Sequence, residues 1–236
     1  METRTSRGRL GAVALVAALA LGGGLAGCSS GTTAAGHLTH DAAAVASVGQ
    51  VSDSSVPAAQ MRFRMAMRLL WNQHMEWTRM AITDFAASSG GFGATAARLL
   101  QNQADIGNAI RPFYGDAAAN RLTGLLEEHI NGFVALLQAA KSNDSAGVQT
   151  ATAAVYANAN AIADFLSSAN PKNWPQATLR DMMKGHIDQT IVYATDELTG
   201  NYAPGITAYD QAEAHMLMLA DLLSTGIIAQ FPGAVR

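Results

Sequence analysis

The sequence predicts an all-α protein, a six-helix bundle built from three repeated helical hairpins. Three observations lead there. From Ala58 onward, apolar residues recur at spacings of three and four, and β-branched runs are scarce. Glycine, proline and Ser/Asn/Asp clusters break that period at intervals. The segments between breaks also match one another in pairs, which marks an internal repeat.

Composition sets outer limits. The chain has 236 residues, 49% hydrophobic and 14% charged, with one cysteine, six histidines and a formal charge of −3. A chain of this length and apolar content can bury a core and is not broadly disordered. A single cysteine excludes an internal disulfide framework and a cysteine-based zinc site. The charge balance lacks the basic footprint of a nucleic-acid binder, so no nucleic-acid partner is expected.

Residues 1–27 read as a lipoprotein signal peptide. Arg4, Arg7 and Arg9 precede an uncharged stretch from Leu10 to Gly27 rich in Ala, Leu, Val and Gly. That stretch ends Leu25-Ala26-Gly27-Cys28, which resembles a bacterial lipobox. The resemblance implies cleavage before Cys28 and lipidation of its thiol and new amino terminus. The expected localisation is extracytoplasmic, with the membrane as partner through a lipid anchor. Removing three bases and one acid with residues 1–27 leaves the remainder more acidic than the whole chain. Such a net charge argues against electrostatic docking on anionic lipid. Residues 28–57 sustain no apolar period and read as a flexible tether, with His37 and His40 solvated on it.

The helical domain, residues 58–236, follows. The expected helices are Ala58–Ser88, Ala94–Ile110, Ala117–Ala140, Ala146–Ser168, Gln176–Leu198 and Gly205–Gln230. Gly90-Gly91-Phe92-Gly93 separates the first two, and Pro112 with Gly115 ends the second. Ser142-Asn143-Asp144-Ser145 ends the third. Asn170-Pro171 and Pro175 bracket the next break, and Gly200 to Pro204 the last. Asp144 or Ser145, and Asp116, are the candidate N-caps.

The repeat is anchored on histidines. Leu70-Trp71 precede His74, Leu125-Leu126 precede His129, and Met182-Met183 precede His186, always four and three positions earlier. On the second helix of each pair stand Asn102, Asn158 and His215, at near-equal offsets. Ile106-Gly107-Asn108, Ile162-Ala163-Asp164 and Leu219-Ala220-Asp221 then follow in register. The apolar neighbours point inward, so the histidines on the same helix faces are expected inside.

Two readings of these histidines stay open. As a polar layer, His74, His129 and His186 would bond Asn102, Asn158, Thr78 or Thr190 and fix hairpin register. As a ligand site, His74, His129, His186 and His215 would hold a transition metal such as Zn, Cu or Fe, with Asn102 and Asn158 in support. Inward sulfurs of Met182 or Met183 would bias that site towards copper. Asp164 and Asp221 lie about a third of a turn from Asn158 and His215, at the edge of such a site. A small apolar ligand between the hairpins is a third reading. No ExxH pair, HExxH, GxSxG or Walker loop is present, and no side chain stands out as a covalent nucleophile, so no catalytic residue is assigned.

Several segments together carry a resemblance. They are Leu70-Trp71-Asn72-Gln73-His74-Met75-Glu76-Trp77-Thr78-Arg79, Ile110-Arg111-Pro112-Phe113-Tyr114-Gly115, Asn170-Pro171-Lys172-Asn173-Trp174, Tyr209-Asp210, Met218-Leu219-Ala220-Asp221 and Gly226 to Pro232. As a set they resemble a poorly characterised family of small helical bacterial envelope proteins, over about residues 66–232. The family implies no known activity. Its pattern has Glu or Gln as often as His at the position of His215, which favours His74, His129 and His186 as the shared set.

Overall fold

The computed structural model describes residues 57–235. The expected signal peptide, Cys28, His37, His40 and the tether up to residue 56 lie outside them. The described residues form five helices and no strand: α1 (Ala58–Ala86), α2 (Phe92–Lys141), α3 (Ser145–Ala169), α4 (Gln176–Thr199) and α5 (Tyr202–Gln230). The all-α expectation holds. Each helix packs on the next in sequence, and α5 closes the ring against α1.

The buried positions follow the 3.6-residue period. On α1 they are Met67, Trp71, His74, Met75, Thr78 and Ile82, and on α5 Tyr209, Ala212, Met216, Leu219, Leu223 and Ile227 among others. These stripes merge into one apolar core with Ile106, Leu122, Leu125, Leu126, Ile162, Leu179 and Ile187.

The break expected after Ile110 falls later and takes another form. The helix continues through Pro112, and the only non-helical residue inside α2 is Gly115, with φ 80° and ψ 178°. Proline removes one donor, but its fixed φ suits a helix. The turn itself needs a backbone conformation that only glycine adopts at low cost. A Cβ on Gly107 would meet Thr123 Oγ1 at 2.0 Å and the carbonyl of Ala119 at 2.8 Å. Residues on the two sides of Gly115 therefore lie against each other, and the chain folds back there.

The other ends are set locally. Asp144 caps α3 by accepting from the Gly147 N–H at 2.9 Å. Asp116 instead pairs with Arg111. Phe92 and Gly93, expected in a loop, begin α2, and only Ala87 to Gly91 separate it from α1. Lys141 reaches back to the last carbonyls of α1, those of Phe85 and Ala86. Gly200 (φ 77°) ends α4 while the Asn201 N–H returns to the Asp196 carbonyl at 2.8 Å. Helix α5 then starts at Tyr202, three residues earlier than expected, because Pro204 falls in its first turn, where no N–H is needed. Trp174, at the end of Asn170-Pro171-Lys172-Asn173-Trp174, is fully buried against Gly226, and the Asn170 amide donates to the Gly226 carbonyl at 2.9 Å.

Candidate functional site

Three histidines from three segments meet inside the core. His74 comes from α1, His129 from the part of α2 after Gly115, and His186 from α4. Each is 2% exposed. The His186 ring centroid lies 5.6 Å from that of His74 and 5.7 Å from that of His129. Each histidine is carried inward by its own apolar stripe, as its position one turn after Leu70-Trp71, Leu125-Leu126 or Met182-Met183 implies.

Each ring is held through Nδ1. His129 Nδ1 lies 3.2 Å from Asn158 Oδ1, while the Asn158 amide donates to the Leu125 carbonyl at 3.1 Å. Asn158 thus presents an acceptor, so His129 donates through Nδ1 and its Nε2 keeps a lone pair. Thr190 gives its hydroxyl hydrogen to the His186 carbonyl at 2.8 Å, so its oxygen accepts the 3.4 Å contact from His186 Nδ1. The Gln103 amide donates to the Leu99 carbonyl at 2.7 Å and faces His74 Nδ1 at 3.3 Å. Here the ring accepts, which places its hydrogen on Nε2.

A second set of bonds repeats with the sequence. The Asn102 amide donates to the Leu70 carbonyl at 3.0 Å, the Asn158 amide to the Leu125 carbonyl, and His215 Nε2 to the Met182 carbonyl at 2.8 Å. The acceptor in each case is the residue four positions before the repeat's histidine. Each of these bonds ties two neighbouring helical segments at one level. His215 is therefore a latch equivalent to Asn102 and Asn158, half-buried over Gly185, and does not join the ring cluster. Asn158 does two jobs that the first copy splits between Asn102 and Gln103. Gln103 was missed from sequence, although it follows His74 by 29 residues, the same separation as Asn158 from His129.

Burial keeps the cluster neutral. Desolvation, with the His129 charge adding to it, lowers the His74 pKa to about 3, against a small opposing effect from Gln103. Desolvation lowers His129 to about 4 and holds His186 well below the ordinary value, the latter also disfavoured by its histidine neighbours. The three rings border a cavity of about 30 Å³, walled mainly by Ile82, Leu99, Ile130 and Phe133. That is room for one or two water-sized guests. Thr78, whose Oγ1 has no hydrogen-bond partner, also lines this space, and Trp71 Nε1 and Gln103 Oε1 beside His74 are buried and unpaired.

The remaining candidates lie elsewhere. Asp164 pairs with Arg180 on α4 and accepts from Gln176, and the Arg180 bonds hold its carboxyl below the usual range. Asp221 pairs with Arg68 on α1. Both join neighbouring helices at the surface. Met183 packs into the apolar core with Met182 against it, and neither borders the cavity, which removes the argument for copper. Among the described residues no group of three or more His, Cys, Asp or Glu side chains stands ready to hold a metal ion. The ring spacing is nonetheless close to that of shared ligation: two imidazoles bound at about 2.0–2.1 Å to one tetrahedral ion have centroids about 5.2 Å apart. No protein family, no curated protein and no solved structure matches the chain.

Proposed function

We propose that this protein is an extracytoplasmic lipoprotein, anchored at Cys28, whose domain binds a transition metal ion through His74, His129 and His186. The domain reads as six helical segments in three hairpins, with the two halves of α2 counted apart. The repeated latch to the Leu70, Leu125 and Met182 carbonyls supports that count. One observation carries the metal reading: three neutral imidazoles, two with lone pairs on Nε2, border a small cavity that Thr78, with its orphan hydroxyl, also lines. Neutral imidazole suits Zn, Cu and Fe, and rings that resist protonation lose little affinity to proton competition. The rings must turn slightly to converge, and His74 must give up its bond from Gln103 and move its hydrogen off Nε2 before that nitrogen can bind an ion. His186 is the one freest to turn, because its 3.4 Å bond to Thr190 is the longest of the three. The fourth position would go to a water or to another guest of that size.

Elemental analysis of the purified protein after dialysis against Zn, Cu or Fe is the test. One bound ion per chain is expected, lost in His74→Ala/His129→Ala and retained in His215→Ala. Stoichiometry unchanged in the double variant would refute the reading.

A second reading has its own support. Each Nδ1 is already bonded, and no ready-made metal group exists among the described residues. On this view the cluster is a polar layer that specifies packing, and one or two waters satisfy Thr78 and the free ring nitrogens. Thr78→Val separates the two. It should weaken metal retention if Thr78 lies beside a bound ion, and lower only stability, with metal content unaffected, if the hydroxyl serves a water of the polar layer.

A further inference from the structure

The net acidity of the chain conceals a division of charge along the bundle. One end gathers the start of α1, the turn in α2, the α3–α4 loop and the end of α5. Phe63 stacks edge-on against Phe113 at 5.3 Å, Phe113 meets Phe231 at 5.6 Å, Tyr114 meets Trp174 at 5.8 Å, and Arg64 bonds Thr225. This end carries Arg62, Arg64, Arg68, Arg111 and Lys172. Of the acids at this end, Asp116, Asp221 and Asp164 are held by Arg111, Arg68 and Arg180, and Asp181 is exposed beside the α3–α4 loop. The opposite end, where α1 and α4 finish, carries Asp84, Asp144, Asp196 and Glu197 against Lys141.

The same basic end exposes apolar side chains at helical spacing. Met61, Met65 and Leu69 are 47%, 62% and 57% exposed on one face of α1, interleaved with Arg62 and Arg68. Met218, one turn before the Asp221 that pairs with Arg68, adds to that surface at 57% exposure. Flexible methionines flanked by arginines suit the headgroup region of an anionic bilayer, where the stems stay apolar and the guanidinium groups meet phosphate. The chain also enters this end of the domain from the proposed lipidated Cys28, because Ala58 begins α1 there.

We infer that the Met61/Met65/Leu69 face of α1, with Arg62 beside it, lies on the anionic bilayer surface. The acyl chains supply the anchor, and this face sets the orientation, with the acidic end directed away. The inference rests on the lipoprotein reading. It also revises the expectation from net charge, because a surface responds to the local charges facing it and not to the total.

Full-length protein, purified from a host that acylates it, is reconstituted in phosphatidylcholine vesicles with or without phosphatidylglycerol and brominated lipid. A fluorophore is attached at Met65→Cys or, separately, at Asp196→Cys. Quenching is expected at the first position and not the second, only with phosphatidylglycerol, and it should fade in high salt. Arg62→Ala should lower the ratio of docked to undocked domain about fivefold, the change that ~1 kcal/mol per basic residue produces. Equal quenching at both positions, or none at position 65 on anionic vesicles, overturns the inference. Mass measurement of Cys28 reports the anchor separately: an acylated chain that shows no quenching refutes the surface alone. An unacylated chain that still docks from solution refutes the anchor and supports the surface.

Discussion

Acidification from pH 7 to pH 5 should destabilise the domain through its buried imidazoles. His74 and His129 ionise near 3 and 4 when folded, against 6.5 in an unfolded chain. The folded state therefore binds fewer protons, and stability rises with pH across this window. It is at its fullest above 6.5, declines as pH falls below that value, and the loss is complete only below the folded values. At pH 5 each unfolded imidazole is almost fully protonated, while each folded one is almost fully neutral. At about 1.4 kcal/mol per unit, each ring contributes a loss of about 2 kcal/mol, and the pair about 4 kcal/mol. His186 is shifted the same way and adds to it. Single domains have about 5–15 kcal/mol to lose, so the effect is a large share of the total. Urea unfolding of metal-free protein at pH 7, 6 and 5 measures it, and the window lies above most carboxylate titration. His129→Gln should remove about 2 kcal/mol of the pH dependence. An unfolding free energy that stays flat between pH 7 and 5 would mean that the rings are hydrated, and the buried-cluster argument would fail.

Three further outcomes follow from the packing. Asn158→Ala removes the amide bond to the Leu125 carbonyl and strands His129 Nδ1–H, so urea denaturation should show a loss of about 2–4 kcal/mol. Gly115→Ala forces a side chain onto φ 80°, ψ 178°, and should lower stability by about 1–3 kcal/mol in the same assay. Gly226→Ala places a Cβ 1.9 Å from Trp174 Nε1; overpacking of that kind costs about 1–3 kcal/mol, and Trp174 fluorescence should shift to the red as the indole loses its burial.

The helical periods, the breaks and the repeat were legible in the chain because each is a local matter of side-chain spacing and backbone preference. The stripe around Leu70-Trp71-His74 sufficed to place His74 inside. The spacing shared with His129 and His186 sufficed to place those two at equivalent levels. Pro112 misled because proline is read as a stop, yet the helix passes it and turns at Gly115, where positive φ is needed. His215 looked like a fourth member because it too follows the repeat. Only the packed helices show its Nε2 reaching the Met182 carbonyl, in the role that Asn102 and Asn158 perform.

By itself, the sequence determined the all-α class, the inward histidines and the matched latch positions, because those depend on periodicity along one helix. The tertiary structure decided which rings meet, that a small cavity lies between them, and that Asp164 and Asp221 pair with arginines on the helices beside them. Those outcomes depend on distances between segments far apart in the chain, and no local pattern specifies them. The division of basic and acidic ends likewise emerges only when the helices are assembled, because consecutive helices run in opposite directions and bring distant charges to one end.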